Sequence, residues 1–240
     1  MKLLDEKIFS GTEFLKIFGD ANLASSCKII SFVNPYSYDQ LKNRNKLIND
    51  IDYFFSDGGL LCFFNNLFKK HKITRASFDY SSIAGDVLEF AEINDMKVAI
   101  IGATETELEL AVNALTFKHK RLNVVFSRNG YFKNNNEMLE VIGLVSSSKA
   151  DLVIVGMGTP MQEEFSVLIK ENTKKTSLIL TCGGFLTQSA ISLDYYPPLI
   201  NKLGLRWLQR VVMHKHVRSR IIRDYPRFIY NYIKSNIFNI

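Results

Sequence analysis

A chain of 240 residues that is 47% hydrophobic and 22% charged can bury a sizeable core, and its composition is not that of a disordered, collagenous or disulfide-stapled chain. No apolar run reaches bilayer-spanning length, and Met1-Lys2-Leu3-Leu4-Asp5-Glu6-Lys7 turns acidic too early for a signal peptide. The net charge of +6 is uneven: residues 199–240 hold nine Lys/Arg against one acid, Asp224, while the rest is near neutral. Such asymmetry directs the tail toward anions.

Cys27, Cys62 and Cys182 are odd in number and far apart, which fits reduced thiols in a cytoplasmic protein. No Cys/His spacing suggests zinc. Residues 1–26 read as a small β/α opening unit, with Thr12 capping a helix through Phe18. Lys28 to Val33 is a strand, closed at Asn34 because Pro35 holds its predecessor extended. A polar helix is expected from Tyr36 to Asn49, a strand from Asp52 to Ser56, the turn Asp57-Gly58-Gly59, and a helix through Phe68. Residues 71–78 read as irregular, and Asp79 to Asn94 as a helix capped by Ser81 or Ser82.

Lys97 to Ile101 is a strand leading through Gly102-Ala103-Thr104 into a helix from Glu105 to about His119. Leu122 to Phe126 is a strand, 127–133 a loop, and Asn134 to Ser147 a helix. Leu152 to Val155 reads as a strand covered on both faces. It runs through Gly156-Met157-Gly158-Thr159-Pro160 into a helix to Asn172. Ser177 to Thr181 is the last strand, closed by Cys182-Gly183-Gly184-Phe185. This alternation predicts an α/β fold, a Rossmann-like doubly wound and mostly parallel sheet. The composition shift near Tyr195-Tyr196-Pro197-Pro198 divides a catalytic domain, 1–198, from a basic, amphipathic, helical C-terminal appendage, 199–240.

In such a sheet the ligand crevice lies beyond the carboxyl ends of the strands. Asn34, Asp57-Gly58-Gly59, Gly102, the run 156–162 and Gly183-Gly184 all fall there. Gly156 and Gly158 permit a tight turn and close approach of a ligand. Pro160 suits the first turn of a helix. Gln162 and Glu163 stand at a helix N-terminus, which attracts phosphate. Neither a Walker loop nor G-x-G-x-x-G is present, since Met161 occupies the third glycine position.

Asp57 ends an apolar strand, where low-dielectric walls would raise its basicity and suit a general base; capping the next helix is an equally good reading of the local sequence. Arg75 holds a phosphate or is simply exposed. Asp50-Ile51-Asp52 has the D-x-D form that holds a metal and a nucleotide diphosphate, but it precedes its strand and so lies at the wrong end, solvated. No metal and no cofactor is expected. The four histidines read as surface residues.

In the tail, Trp207, Leu208, Val211 and Val212 accompany Arg206 and Arg210. Arg220, Arg223 and Arg227 share a helical face, and Pro226 breaks or kinks that helix. Phe228 to Ile233 is aromatic and apolar, with Lys234 behind it. Basic beside aromatic residues suit the surface of an anionic bilayer. The competing reading is a helix packed on the body with a solvated basic face. Nucleic acid is not expected, for no recognisable module accompanies the charge.

These segments together resemble the WecG/TagA/CpsF glycosyltransferases, glycosyltransferase family 26. Gly156-Met157-Gly158-Thr159-Pro160-Met161-Gln162-Glu163 is similar to the family's G-x-G-x-P-x-Q-E signature. Gly183-Gly184-Phe185, Pro198 and Gly204-Leu205-Arg206-Trp207-Leu208-Gln209-Arg210 follow its later blocks in order. The resemblance implies an inverting, metal-independent transferase at the inner face of the bacterial plasma membrane. It would move a sugar such as N-acetylmannosamine from UDP to a polyprenyl-diphosphate-linked sugar, in the synthesis of teichoic acid, capsule or other surface polysaccharide. It places Asp57 as the base, Asn34 and the Gln162-Glu163 pair against substrate, and the tail arginines Arg206, Arg210, Arg220 and Arg223 against the diphosphate. Phe32 stands where the family has Thr, Arg206 replaces the Glu before Trp207, no Arg precedes Pro198, and Arg75-Ala76-Ser77-Phe78-Asp79 replaces R-x-x-G-x-D. These departures bear on the sugar more than on the reaction. A homo-oligomer is left open. The rival readings are a non-catalytic nucleotide- or nucleic-acid-binding protein with a basic tail and, disfavoured by the missing fingerprint, an oxidoreductase.

Overall fold

The computed structural model describes residues 3–193, 212 and 218–237. Seven strands form one sheet: β1 (Ile8–Phe9), β2 (Lys28–Val33), β3 (Tyr53–Ser56), β4 (Lys97–Gly102), β5 (Asn123–Arg128), β6 (Leu152–Gly156) and β7 (Leu178–Thr181). Their order is β1-β3-β2-β7-β6-β4-β5. Every neighbouring pair is parallel, so the sheet is wholly rather than mostly so. The chain steps outward from β4 to β5 and back across β4 to β6, which makes the sheet doubly wound.

The strand sequences explain why both faces are covered. Side chains alternate between faces with period two. Ile30, Val98, Ile100, Leu152, Ile154, Leu178 and Leu180 enter one apolar layer. Ile29, Val33, Ala99, Ile101, Val153, Val155 and Ile179 enter the other. The first layer is closed by α2 (Phe14–Asn22), α6 (Ala84–Ile93), α7 (Glu105–Lys118) and α10 (Phe185–Ile191). The second is closed by α1 (Leu3–Glu6), α3 (Pro35–Leu41), α4 (Asn45–Asp50), α5 (Gly59–Phe68), α8 (Asn135–Ser148), α9 (Met161–Asn172) and α11 (Tyr225–Ile237). Each fully buried Leu, Ile or Val contributes about 1.5–3 kcal/mol.

Several element boundaries differ from expectation. The helix expected over 36–49 is two helices, α3 and α4, broken at residues 42–44. The helix expected from Asp79 begins at Ala84, because Asp79 is held in a turn by its own contacts to Ser81. Ser10, not Thr12, caps the turn that leads into α2, through a capping box with Glu13. β5 runs on to Arg128, which pairs with Ile101. His119 is buried between Glu92, 3.3 Å from Nδ1, and Tyr80, 3.1 Å from Nε2, and is not a surface residue.

At the amino ends of the strands the D-x-D run lies where expected, but Asp52 is only partly exposed and is tied into ion pairs rather than freely solvated. Its Oδ2 accepts from the Ile29 amide at 2.9 Å and Lys170 Nζ at 2.7 Å, and Lys28 Nζ reaches Oδ1 at 3.2 Å. It pins β2, β3 and α9 together.

The far end of the tail packs on the body. A π-turn over Arg220–Asp224 passes into α11, and Pro226, expected to break or kink the helix, sits in the first turn of α11. Phe228 and Tyr232 are one turn apart and buried. Both rings lie 5.5 Å from Tyr38, and Phe228 lies 6.3 Å from Phe64. Tyr38 donates to Asp5 Oδ1 at 2.6 Å, Tyr232 reaches the same oxygen at 3.4 Å, and Lys69 Nζ pairs with Oδ2 at 3.0 Å. Two of the aromatics expected at a bilayer are therefore core residues, while Tyr230 and Ile237 stay exposed. The expected division at 198/199 lies outside the described residues. Among those described, no helix is long and apolar enough to cross a membrane.

Candidate active site

The carboxyl ends of the strands enclose a cleft of about 520 Å³, a size that suits a small-molecule ligand. Its wall draws on the turn after each of the six longer strands, including Asn34 after β2, Asp57 after β3, Ala103 and Thr104 after β4, Gly130 after β5, Gly156 to Thr159 after β6 and Gly183 after β7. Close backbone approach makes this convergence workable. A Cβ at Gly102, whose φ is +150°, would stand 2.3 Å from the Gly156 carbonyl oxygen.

Asp57 sits at the end of β3, its amide bonded to the Val33 carbonyl at 2.8 Å. Arg75 lies behind it rather than in the solvent or in the cleft. Its Nε donates to the Asp57 carbonyl at 2.8 Å, and its Nη2 stands 2.7 Å from Asp79 Oδ2 and 3.6 Å from Asp57 Oδ1. Ser77 Oγ contacts Asp57 Oδ1 and Asp79 Oδ2. The surroundings expected to be low-dielectric walls are thus a hydrogen-bonded ion cluster, with aromatic Phe32, Phe78 and Phe185 beside it. Capping by Asp57 of the next helix is not seen: α5 has Gly58 as its cap residue and no side-chain cap bond.

Asn34 lines the cleft and also caps α3, its Oδ1 accepting from the Tyr36 and Ser37 amides at 3.0 and 3.1 Å. That capping fixes the side chain. Gly58 packs beneath this turn, where a Cβ would meet Pro35 Cδ at 3.1 Å.

Gln162 lines the cleft and accepts the Gly183 amide at 3.2 Å, so it ties two of the expected glycine turns together. Glu163 does not line it; the side chain is wholly buried beneath. Arg75, Gly102 and Pro160 also stand behind the wall, and Pro160 is the cap residue of α9, after a cis Thr159-Pro160 bond.

The two helix N-termini expected to bind phosphate are not equivalent. Thr104 and Glu107 form a capping box at α7, with Glu105 beside it, so acids already occupy that end. The start of α9 has no side-chain cap, and its first turn also holds two acids, the buried Glu163 and Glu164. Among the described residues the cleft is lined by Asp57, Asp79 and Glu107 and by no Lys or Arg. Arg206 and Arg210 lie outside the described residues. Arg223 is exposed beside Asp224, away from the cleft, and Arg220 lies in the same π-turn.

Sequence reasoning missed Gly130, Tyr131 and Phe132 by ending β5 too early, although the strand-end rule applies to β5 as to the others. It also missed Ser77 and Asp79, which sit in an irregular loop. The spacing of Arg75 and Asp79 was the available signal.

The Glycosyl transferase WecG/TagA/CpsF family model matches residues 8–239. The chain belongs to this family. It is 44% identical over 212 residues, 88% of each chain, to a UDP-Gal:alpha-D-GlcNAc-diphosphoundecaprenol beta-1,4-galactosyltransferase of Shigella boydii. It is 28% identical over 194 residues to an N-acetylglucosaminyldiphosphoundecaprenol N-acetyl-beta-D-mannosaminyltransferase of Staphylococcus aureus strain MW2, covering 79% of this chain and 72% of that one. In this WecG/TagA/CpsF family member the Gly156–Glu163 run, which resembles the family's signature, lies on the β6 turn and the start of α9.

Proposed function

We propose that this WecG/TagA/CpsF protein transfers a hexose, galactose in the first instance, from UDP to the GlcNAc of a polyprenyl-diphosphate carrier. The placement of Asp57 at the floor of a cleft walled by the family signature carries this reading. The 44% identical Shigella relative favours galactose over the N-acetylmannosamine that the family resemblance implies.

In this mechanism Asp57 accepts the proton of the acceptor hydroxyl, and the oxygen attacks the anomeric carbon on the face opposite UDP. The bond to UDP breaks as the new one forms, so configuration inverts and UDP departs with the bonding electrons. Arg75 and Ser77 hold Asp57 in place; a fixed base needs no reorganisation at the moment of reaction. The N-terminus of α9 seats the diphosphate, and Arg206 and Arg210 of the basic tail supply the cations that the described wall lacks. The D-x-D run is at the opposite edge of the sheet, which supports transfer without a metal. The protein works as a peripheral enzyme on the inner membrane face, where its basic tail meets anionic lipid and the lipid-linked acceptor.

The test pairs UDP-galactose, UDP-GlcNAc and UDP-N-acetylmannosamine with a synthetic polyprenyl-diphosphate GlcNAc acceptor, with and without EDTA, read by mass spectrometry. Galactosyl transfer that survives EDTA is the expected result. UDP binding with no transfer from any donor would favour a non-catalytic nucleotide-binding protein.

A further inference from the structure

Glu163 is fully buried, yet no cation among the described residues bonds to it. Its Oε1 accepts from Ser31 Oγ at 2.9 Å, Gln162 Nε2 at 2.9 Å and Thr159 Oγ1 at 3.2 Å. The Ser31 contact ends a relay: the Phe32 amide donates to Thr181 Oγ1 at 3.2 Å, and that hydroxyl donates to Ser31 Oγ at 3.0 Å. The relay ends on Glu163 Oε1, which accepts from its last hydroxyl, Ser31 Oγ. The other oxygen, Oε2, is buried and has no partner among the described residues. A buried polar atom without a partner is costly. Burial also pushes the carboxyl above the ordinary carboxylate range, toward the neutral acid.

The groups gathered here belong to three walls of the cleft. Ser31 and Phe32 lead into Asn34 on β2. Thr181 ends β7, just before Gly183. Thr159 and Gln162 belong to the signature turn, and Gln162 reaches both the cleft and the Gly183 amide. A packing role alone needs no acceptor at a point where three elements meet.

We propose that Glu163 is a positioning residue, which acts through Thr159 and Gln162 to lock the donor side of the cleft against β2 and β7. This rests on the reading of the cleft as a UDP-sugar site. Glutamine is a close isostere of the glutamate side chain. In Glu163→Gln the side-chain oxygen keeps its three donors and the amide nitrogen takes the place of Oε2. Glu163→Ala strands those donors, and Glu163→Asp withdraws the acceptor by one methylene.

The test measures donor KM, acceptor KM, kcat and its pH profile for the three variants, with amide hydrogen exchange over residues 156–162 and 183–184. Glu163→Gln is expected to keep all kinetic values within about threefold and the pH profile unchanged. Glu163→Ala is expected to raise donor KM about tenfold or more, the scale of a stranded buried donor, with acceptor KM held and exchange in both turns increased. Glu163→Asp falls between. A Gln variant as impaired as the Ala variant, or an Ala variant with native donor KM and native exchange, would overturn the proposal. Should the wild type transfer no sugar, the functional reading fails by itself. Exchange in the Ala and Gln variants then still decides whether Glu163 locks the turns.

Discussion

Asp57 and Asp79 share the hydroxyl of Ser77, and Arg75 reaches both carboxylates from behind. One cation and one hydroxyl therefore bridge two acids beside the end of β3. Of the two, Asp57 stands at the strand end, and it is the base in our mechanism. Asp57→Asn keeps the shape and removes the proton acceptor. Sugar transfer should fall by about 10²–10⁴-fold, the usual contribution of a general base, with the melting temperature little changed. Mass-spectrometric product yield and a thermal melt check both halves; near-native transfer would remove Asp57 from the mechanism.

Arg75 contributes geometry as well as charge. Its Nε and Nη2 diverge to a carbonyl and a carboxylate, a fork that lysine cannot reproduce. Arg75→Lys should lower kcat at least about tenfold, because small misplacement of a base is costly. Arg75→Ala should in addition cost about 1–3 kcal/mol of stability, the range for hydrogen bonds to charged groups. Steady-state kinetics and urea melts separate the two losses.

Gly102 tests the close approach of strand ends. Gly102→Ala meets the Gly156 carbonyl at 2.3 Å and forces a side chain onto φ +150°. A loss of more than about 2 kcal/mol is expected from strain and overpacking combined, visible as a lowered denaturation midpoint. A native melt would mean that β4 and β6 can separate at no cost.

Acid should reveal Asp52. Burial pulls its carboxyl upward, but hydrogen bonds from Lys170, the Ile29 amide and Lys28 outweigh that and hold it below its ordinary value of 3.8. A depressed carboxyl contributes stability above its unfolded pKa and loses it as pH falls through the folded one. Asp52→Asn should be less stable than wild type near neutral pH, and the gap should close below about pH 4. Urea melts across pH 7 to 2.5 measure it; a gap independent of pH would show that the ion pairs contribute nothing.

The docking of α11 rests on Phe228 and Tyr232. Phe228→Ala should remove about 3–5 kcal/mol of packing. Limited proteolysis is then expected to cut within 218–237 while 3–193 survives. If the whole chain is digested at one rate, α11 is integral to the core rather than docked on it.

Much of this was legible in the chain because hydrophobic periodicity reports burial directly. The strands alternate by face, and their glycine and proline stops put Asn34, Asp57, Gly156 and Gly183 on one edge before any coordinates. What was not legible depends on contacts across long separations. Arg75 reads as an exposed cation until Asp79 and Asp57 are brought to it. Glu163 reads as a helix-end acid until β2 and β7 close over it. Asp52 reads as solvated until Lys170, 118 positions later, reaches it. Phe228 and Tyr232 read as membrane aromatics because amphipathic patterning does not say which apolar surface the helix will meet.

Because all seven strands run the same way, the scaffold and the chemistry occupy separate parts of the molecule. The strands fix where each loop begins, and each wall of the cleft is an independent length of chain. Substitution or lengthening of one loop leaves the neighbouring strands paired. Drift in donor preference can therefore proceed loop by loop, as at residues 130–132 after β5, while Phe32, Ala76 and Phe78 stay bound into the core. A lineage built this way can diversify its glycan repertoire while keeping one base and one signature turn.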